Sequence, residues 1–224
     1  MIDRALGLVA PHTCKGCDKL GRGLCHECFF DIVDSGYDRC ISCGILTTND
    51  SLCRNCRARL PFERAFVVGE RHNALKRLVG DFKFNSERGH AYVIADLLNS
   101  ALPILPDDTV IIPIPTIAPH IRRRGFGHTE LIAKILANKR HLACDRHLLL
   151  RANNSVQHGL SIRERQKQSR KAFRINNRKT IPSEVLLVDD IYTTGATIIS
   201  ASKLLKQTGV KTINVAIVAR QTKD

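Results

Sequence analysis

The chain has no tryptophan, one methionine and three tyrosines among 224 residues, and aromatic side chains make up only 5% of it. Between residues 122 and 179 the aromatics are Phe126 and Phe173 alone. That scarcity argues against a surface that grips nucleic acid by extensive base stacking. No run of 18 or more apolar residues occurs, so no transmembrane helix and no membrane insertion are predicted. The stretch Met1–Pro11 carries Asp3, Arg4 and a brief apolar run, too short for the apolar segment of a signal peptide with its cleavage site. A cytoplasmic protein is therefore expected. Acidic residues are scarce too: 21 Asp and Glu stand against 35 Lys and Arg, a formal net charge of +14.

That charge is unevenly placed. Residues 1–60 hold 8 basic and 7 acidic side chains, whereas residues 122–179 hold 16 basic and 3 acidic, a net +13. Such a field draws polyanions, whether nucleic acid or pyrophosphate. Arg163, Lys167, Arg170 and Lys171 fall at helical spacing and would form one positive stripe. Arg122, Arg123 and Arg124 add a second cluster. A solvated helix face is the plain alternative, but three acidic residues cannot neutralise the segment locally. Contact with a single-strand backbone fits better, and steep salt dependence follows from it.

Nine cysteines are present, eight of them within the first 56 residues as four Cys-x-x-Cys pairs: Cys14/Cys17, Cys25/Cys28, Cys40/Cys43 and Cys53/Cys56. In a cytosolic chain this usage points to metal rather than disulfides. Each turn aims two sulfurs at one centre, so four turns support two structural zinc ions in closed tetrahedral sites. The sequential pairing is simplest; a cross-braced one stays open. Iron–sulfur clusters and redox-active dithiols are the alternatives. With eight thiolates and two Zn²⁺, residues 1–60 move from +1 to −3, a poor primary clamp for nucleic acid. Cys144 stands alone and reads as a small buried apolar residue.

The cysteine-rich part ends near Leu60-Pro61, where periodic apolar residues begin. This divides the chain into a zinc-ribbon module, 1–60, and a second domain, 61–224. Strands are predicted at Ala65–Gly69, Val110–Pro115, Glu184–Asp189 and Thr212–Ala219. Helices are predicted at Ala74–Phe84, Ala91–Leu102, His128–Ala137, Leu160–Lys171 and Thr197–Gln207. Alternation of strands and helices predicts an α/β fold with a mostly parallel sheet.

The stretch Val185-Leu-Leu-Val-Asp-Asp-Ile-Tyr-Thr-Thr-Gly-Ala-Thr197 carries the functional argument. Four apolar residues read as a buried parallel strand. Asp189 and Asp190 follow at its C-terminal edge, where carboxylates can accept hydrogen bonds from a ribose diol. Thr193, Thr194, Gly195, Ala196 and Thr197 then open a helix, and loop amides at a helix N-terminus can hold a phosphate.

This stretch resembles the phosphoribosyl pyrophosphate motif of type I phosphoribosyltransferases. Ile112-Pro-Ile-Pro115, Arg123-Arg-Gly-Phe126, Gln157-His-Gly-Leu-Ser161, Glu164-Arg165 and Ala172-Phe173, together with the cysteine pairs, resemble the ComF family. That family joins a cysteine-rich zinc module to a phosphoribosyltransferase-like domain, and its best-known members serve DNA uptake in bacterial competence. The resemblance spans nearly the whole chain. It implies phosphoribosyl pyrophosphate with Mg²⁺ as ligand, with Asp189 and Asp190 on the ribose hydroxyls and residues 193–197 around the 5′-phosphate. It also implies a pyrophosphate loop after Pro115, a flap over the site from Arg151 to Lys171, single-stranded DNA as a partner, and contact with other DNA-uptake proteins. The chain departs from the family at Gly127-His128, where Asn-Gln is usual, at Gln168 in place of Asn and at Lys171 in place of Gly.

Two further functions fit the same residues. In an active phosphoribosyltransferase, a nucleophile would attack the anomeric carbon as pyrophosphate leaves, with Asp189 or Asp190 stabilising the charge on the sugar. No acceptor-reading hood is evident in the sequence, although the zinc module could supply one. In a non-catalytic interaction protein the same loop would hold another anion.

Overall fold

The computed structural model describes residues 12–48, 50–84, 88–152, 172–177 and 179–221. A five-stranded, all-parallel sheet runs through it. In chain order its strands are β3 (Arg64–Glu70), β4 (Val110–Pro113), β5 (Ala143–Cys144), β8 (Glu184–Tyr192) and β9 (Thr212–Arg220); across the sheet they lie β3-β9-β8-β4-β5. Around it the chain forms β1 (His12–Thr13), β2 (Leu20–Gly21), α1 (His26–Ser35), α2 (Arg54–Arg57), α3 (Asn73–Phe84), α4 (His90–Ala101), α5 (Ala118–Arg124), α6 (His128–Arg140), β6 (Leu149–Arg151), β7 (Phe173–Ile175) and α7 (Ala196–Gln207).

The central strands are apolar on both faces because both faces are covered. On one face Leu186, Val188, Ala216 and Val218 pack against α3, α4 and α6 through Leu78, Phe82, Ile94, Leu97, Ile132 and Leu136. On the other, Val185, Leu187, Ile213, Val215 and Ile217 pack against Ile198, Ala201 and Leu205 of α7. Full burial of one such side chain contributes about 1.5–3 kcal/mol. The cysteine-rich segment joins both cores. Cys14 and Leu24 belong to the first, and Cys40, Ile41, Leu52 and Cys53 to the second. One cysteine pair set thus sits on each side of the sheet, beside the edge strand β3.

Several boundaries differ from those the sequence predicts. The strand predicted at Glu184–Asp189 runs on to Tyr192, so Asp190 too lies inside β8, because the ladder to β9 continues through Asp189↔Ile217 to Tyr192↔Arg220. The neighbouring strand β4 stops earlier, at Pro113 opposite Val188. β8 therefore projects beyond β4, and the carboxylates face the crevice that this step opens at the C-terminal ends of the strands. The hairpin β6–β7 and helix α5 are not evident in the sequence. The hairpin's two three-residue strands are separated by a long segment, and α5 begins Ala118-Pro119, with proline in its first turn. The predicted helix Leu160–Lys171 lies outside the described residues.

Candidate functional site

The crevice holds a cavity of about 240 Å³, lined by Ile114–Ile117 after β4, His128 and Thr129 of α6, Arg151 of β6, and Asp189, Asp190 and Thr197. The two aspartates are buried, 9% and 4% exposed, yet in different electrostatic settings. Asp190 Oδ1 accepts from Lys83 Nζ at 2.8 Å, and its Oδ2 lies 2.5 Å from His128 Nε2. Burial would raise its pKa, but the hydrogen bond from His128 and the Lys83 charge outweigh that and hold it down to about 2. Among the described residues no basic side chain hydrogen-bonds Asp189, although the charges of Lys83 and Arg151 act on it. Its Oδ1 accepts the Asp190 backbone amide at 2.9 Å, while burial and the neighbouring Asp190 charge push its carboxyl up to about 8. Burial and the Asp190 charge thus favour the protonated form at Asp189, while His128 and Lys83 favour the ionised form at Asp190.

His128 is further fixed by Thr116, whose hydroxyl lies 3.3 Å from Nδ1 and 3.3 Å from Thr129 Oγ1; Thr129 in turn donates to the Ile114 carbonyl at 2.6 Å. Arg151 donates to the Pro115 carbonyl at 2.9 Å and its guanidinium stacks on Phe173. Lys83, His128, Thr116 and Arg151 thus complete the site around the two aspartates. Of these, Thr116 and Arg151 fall in the stretches that the resemblance assigned to a pyrophosphate loop and a flap, whereas Lys83 and His128 were not singled out as site residues, although His128 stands where the chain departs from the ComF pattern.

The loop Thr193–Thr197 forms the sharp turn from β8 into α7. Gly195 has φ +75°, and a Cβ there would meet the Tyr192 hydroxyl at 2.1 Å. Both facts require glycine. Replacing Gly195 by Ala costs about 1–2 kcal/mol for the left-handed backbone alone, and displacing Tyr192 adds to it. The thermal midpoint of Gly195→Ala is expected to fall by roughly 4 °C or more; an unchanged midpoint would show that the loop yields freely.

The eight cysteines gather sequentially into two sets, Cys14/Cys17/Cys25/Cys28 and Cys40/Cys43/Cys53/Cys56, each with its sulfurs within 4.8 Å of one another and able to hold a metal ion. This selects the sequential pairing over the cross-braced one. The surroundings favour thiolate at one cysteine of each set, Cys14 and Cys40, whereas burial and neighbouring thiols raise Cys28 and Cys56. Cys25 caps α1 and Cys53 caps α2, each accepting the amide three residues on. Cys14 accepts from the amides of Gly16 and Cys25; burial raises its pKa, but these and other backbone amides overcome that and bring it to about 6. At Cys40 the same balance gives about 7. A Cβ on Gly16 would meet Cys28 Sγ at 2.4 Å, so the turn closes only around glycine. Cys144 is partly buried, and burial raises its thiol.

Arginines tie both sets to the rest of the fold. Arg77 of α3 donates to the carbonyls of Lys15 and Gly16 and pairs with Asp18, while Lys15 pairs with Asp81 at 2.7 Å. Arg220 spans the second set and the Thr193–Thr197 loop.

The basic residues divide. Arg122 is exposed on α5, and of Arg123 and Arg124 only the backbone is described. Arg163, Lys167, Arg170 and Lys171 lie outside the described residues. Others in the positive segment are used internally: Arg140 caps α4 through the carbonyls of Asn99 and Leu102, and Lys139 pairs with Asp96.

Comparison with known proteins agrees with this geometry. The phosphoribosyl transferase domain family matches residues 121–224. The DNA utilization protein YhgH of Salmonella typhi is 30% identical over 213 residues, covering 88% of this chain and 90% of that protein. Competence protein F of Haemophilus influenzae is 30% identical over 88% of this chain and 90% of its own length, and competence protein ComFC of Bacillus subtilis 28% over 83% and 79%. Two sequential cysteine sets, a phosphoribosyltransferase-type sheet and near-full-length relatives agree: the chain belongs to the ComF family.

Proposed function

We propose that this protein binds phosphoribosyl pyrophosphate with Mg²⁺, and single-stranded DNA beside it, as a cytoplasmic component of DNA uptake and natural transformation. The observation that carries the reading is the division of labour in the acidic pair. Asp190 is committed to Lys83 and to His128, which lines the crevice. Among the described residues no cationic side chain hydrogen-bonds Asp189, and with the Thr193–Thr197 loop at the start of α7 it offers what a ribose phosphate needs: an acceptor for hydroxyls and amides for the phosphate. Arg151 adds a positive charge at the same cavity. Mg²⁺ would arrive on the pyrophosphate, and the hydroxyls of Thr116 and Thr197 are the hard oxygen donors that suit its hydration shell. Bound there it would supply neutralisation of the pyrophosphate charge.

The cysteine sets would each hold one structural zinc: four thiolates, no open position and no carboxylate or imidazole ligand fit a structural rather than a catalytic centre. The chain then divides into a bracing module, 1–60, and a ligand domain, 61–224. Cytoplasmic residence fits the free cysteines; among the described residues no helix is long and apolar enough to cross a membrane. The names of the relatives, competence proteins and DNA utilization proteins, support the role in DNA uptake and partnership with other uptake proteins. The positive segment, with Arg122 to Arg124 and Arg163 to Lys171, supports the single-strand contact.

Calorimetry tests both ligands together. Phosphoribosyl pyrophosphate with Mg²⁺ should bind the wild type and bind Thr194→Ala at least about tenfold more weakly, a difference of about 1.4 kcal/mol. Single-stranded DNA should bind with affinity that falls steeply from low to physiological salt. Absence of any phosphoribosyl pyrophosphate binding, or salt-independent DNA binding, would overturn the corresponding half. Pyrophosphate release with a panel of bases and amines separates ligand binding from transferase activity, for which the acidic pair and loop are also equipped.

A further inference from the structure

Arg220 is the last residue of β9, and its side chain joins three parts of the chain that are remote in sequence. Its Nε donates to the Ile41 carbonyl at 2.7 Å. Its Nη1 donates to the Thr193 carbonyl at 2.8 Å, to the Tyr192 carbonyl at 3.3 Å and to the carbonyl of Gln221. The guanidinium also lies over the Tyr192 ring, 5.2 Å from its centroid. Ile41 sits between Cys40 and Cys43 of the second cysteine set and is fully buried. Thr193 is the first residue of the phosphate loop.

A second contact runs in parallel. Tyr192, 3% exposed, shares a core with Cys40, Ile41 and Cys53. Its hydroxyl stands where a Cβ on Gly195 would fall, at 2.1 Å. The turn of the second cysteine set therefore supports the loop from beneath through Tyr192 and holds it from the side through Arg220. The Ile41 carbonyl that Arg220 meets lies inside the Cys40–Cys43 turn, which the Ile41 amide to the Ser51 carbonyl and the Gly44 amide to the Cys40 carbonyl, each at 2.8 Å, also shape; gathering Cys40 and Cys43 at one centre would fix the direction of that carbonyl further. Closure needs their sulfurs gathered at one point, which four free thiols do not favour and a bound metal enforces.

We propose that Arg220 is a positioning residue that ties the phosphate loop to the second cysteine centre, so that the loop holds its ligand-binding shape only when that centre is closed around its metal. A planar guanidinium suits the task, since its fixed fork addresses two carbonyls at once while a lysine addresses one point. The inference rests on reading residues 193–197 as the phosphate loop, and it makes the cysteine module part of the ligand site although none of its described residues lines the crevice.

The test uses the full chain loaded with zinc. Arg220→Ala and Arg220→Lys are compared with wild type by zinc content, by hydrogen exchange of residues 191–199 without ligand, and by calorimetry with phosphoribosyl pyrophosphate and Mg²⁺. Both variants should retain two zinc ions per chain. Exchange across 191–199 should rise severalfold in Arg220→Ala, and its affinity should drop at least about tenfold; Arg220→Lys should recover little of either. Cys56→Ser, which opens the second centre, should produce the same rise in exchange, and combining it with Arg220→Ala should add almost nothing. Unchanged loop exchange in Arg220→Ala, full recovery in Arg220→Lys, or additive effects in the double variant would overturn the coupling. The exchange arm needs no ligand, so it judges the coupling even if the wild type fails to bind phosphoribosyl pyrophosphate. Should Cys56→Ser fail to fold, the two Arg220 variants decide alone.

Discussion

Asp189→Asn will be more stable than the wild type in mildly alkaline solution while binding phosphoribosyl pyrophosphate less well. The sign follows from the burial of this carboxyl. Its pKa is about 8 in the folded protein against an ordinary 3.8, so the folded state holds a proton that the unfolded state releases. The associated stability is fully present below about pH 4 and is lost as pH rises toward 8, at up to about 1.4 kcal/mol per pH unit. Asparagine has nothing to ionise and escapes that loss, so the gap between variant and wild type should widen through this window and level off above pH 8. Asp190→Asn should do the opposite. The carboxyl of Asp190 is held down to about 2, so its contribution is present above the ordinary carboxylate range and is lost only as pH falls toward 2. Neutralising it at pH 7 leaves Lys83 and His128 without their anion and should cost about 3–5 kcal/mol, as for other broken buried pairs. Denaturant unfolding of the three proteins from pH 5 to pH 9 checks both signs. Parallel pH profiles for wild type and Asp189→Asn would show that Asp189 is not the proton carrier.

Removing metal should unfold more than the cysteine-rich segment. Structural zinc in small modules contributes about 10–16 kcal/mol near pH 7, comparable with the whole stability of an ordinary domain, about 5–15 kcal/mol. Here the two cysteine sets are embedded in the two cores that sandwich the sheet: Cys14 packs with Phe66, Leu75 and Leu78, and Cys40 and Cys53 with Val67, Phe62 and Val215. A strong chelator should therefore deprotect amides in β3 and β9 together with those of residues 12–58. With no tryptophan in the chain, hydrogen exchange or circular dichroism is the practical readout. Full protection of β8 and β9 in the metal-free protein would mark the cysteine segment as an independent appendage.

The elements that were legible in the sequence are those whose signal is local. Val185–Val188 and Ile213–Val218 read as strands because burial on both faces leaves no polar alternation. Leu75, Leu78, Val79 and Phe82 read as a helix face because they recur at helical spacing and are buried in the fold. Cys-x-x-Cys is equally local: two residues between sulfurs dictate a turn. What stayed hidden depends on partners. The end of β8 is decided by β9, whose ladder carries Asp189 and Asp190 into the strand. Lys83 ends a helix and reads as a solvated cation until the fold brings it to Asp190, 107 residues away. Arg220 reads as a charged strand end until it is placed between Ile41 and Thr193.

The sequence by itself therefore determined the chemistry available: eight thiolates in four turns, two adjacent carboxylates, and a hydroxyl- and glycine-bearing loop at a helix start. Each is written in residues a few positions apart, so no long-range contact is needed to recognise it. Tertiary structure alone decided how the cysteines gather, which aspartate the basic side chains Lys83 and His128 meet, and that the arginine ending β9 joins the second cysteine set to the loop after β8. Those outcomes depend on burial and on charges only ångströms away, and such distances exist only once the sheet has brought distant parts of the chain together.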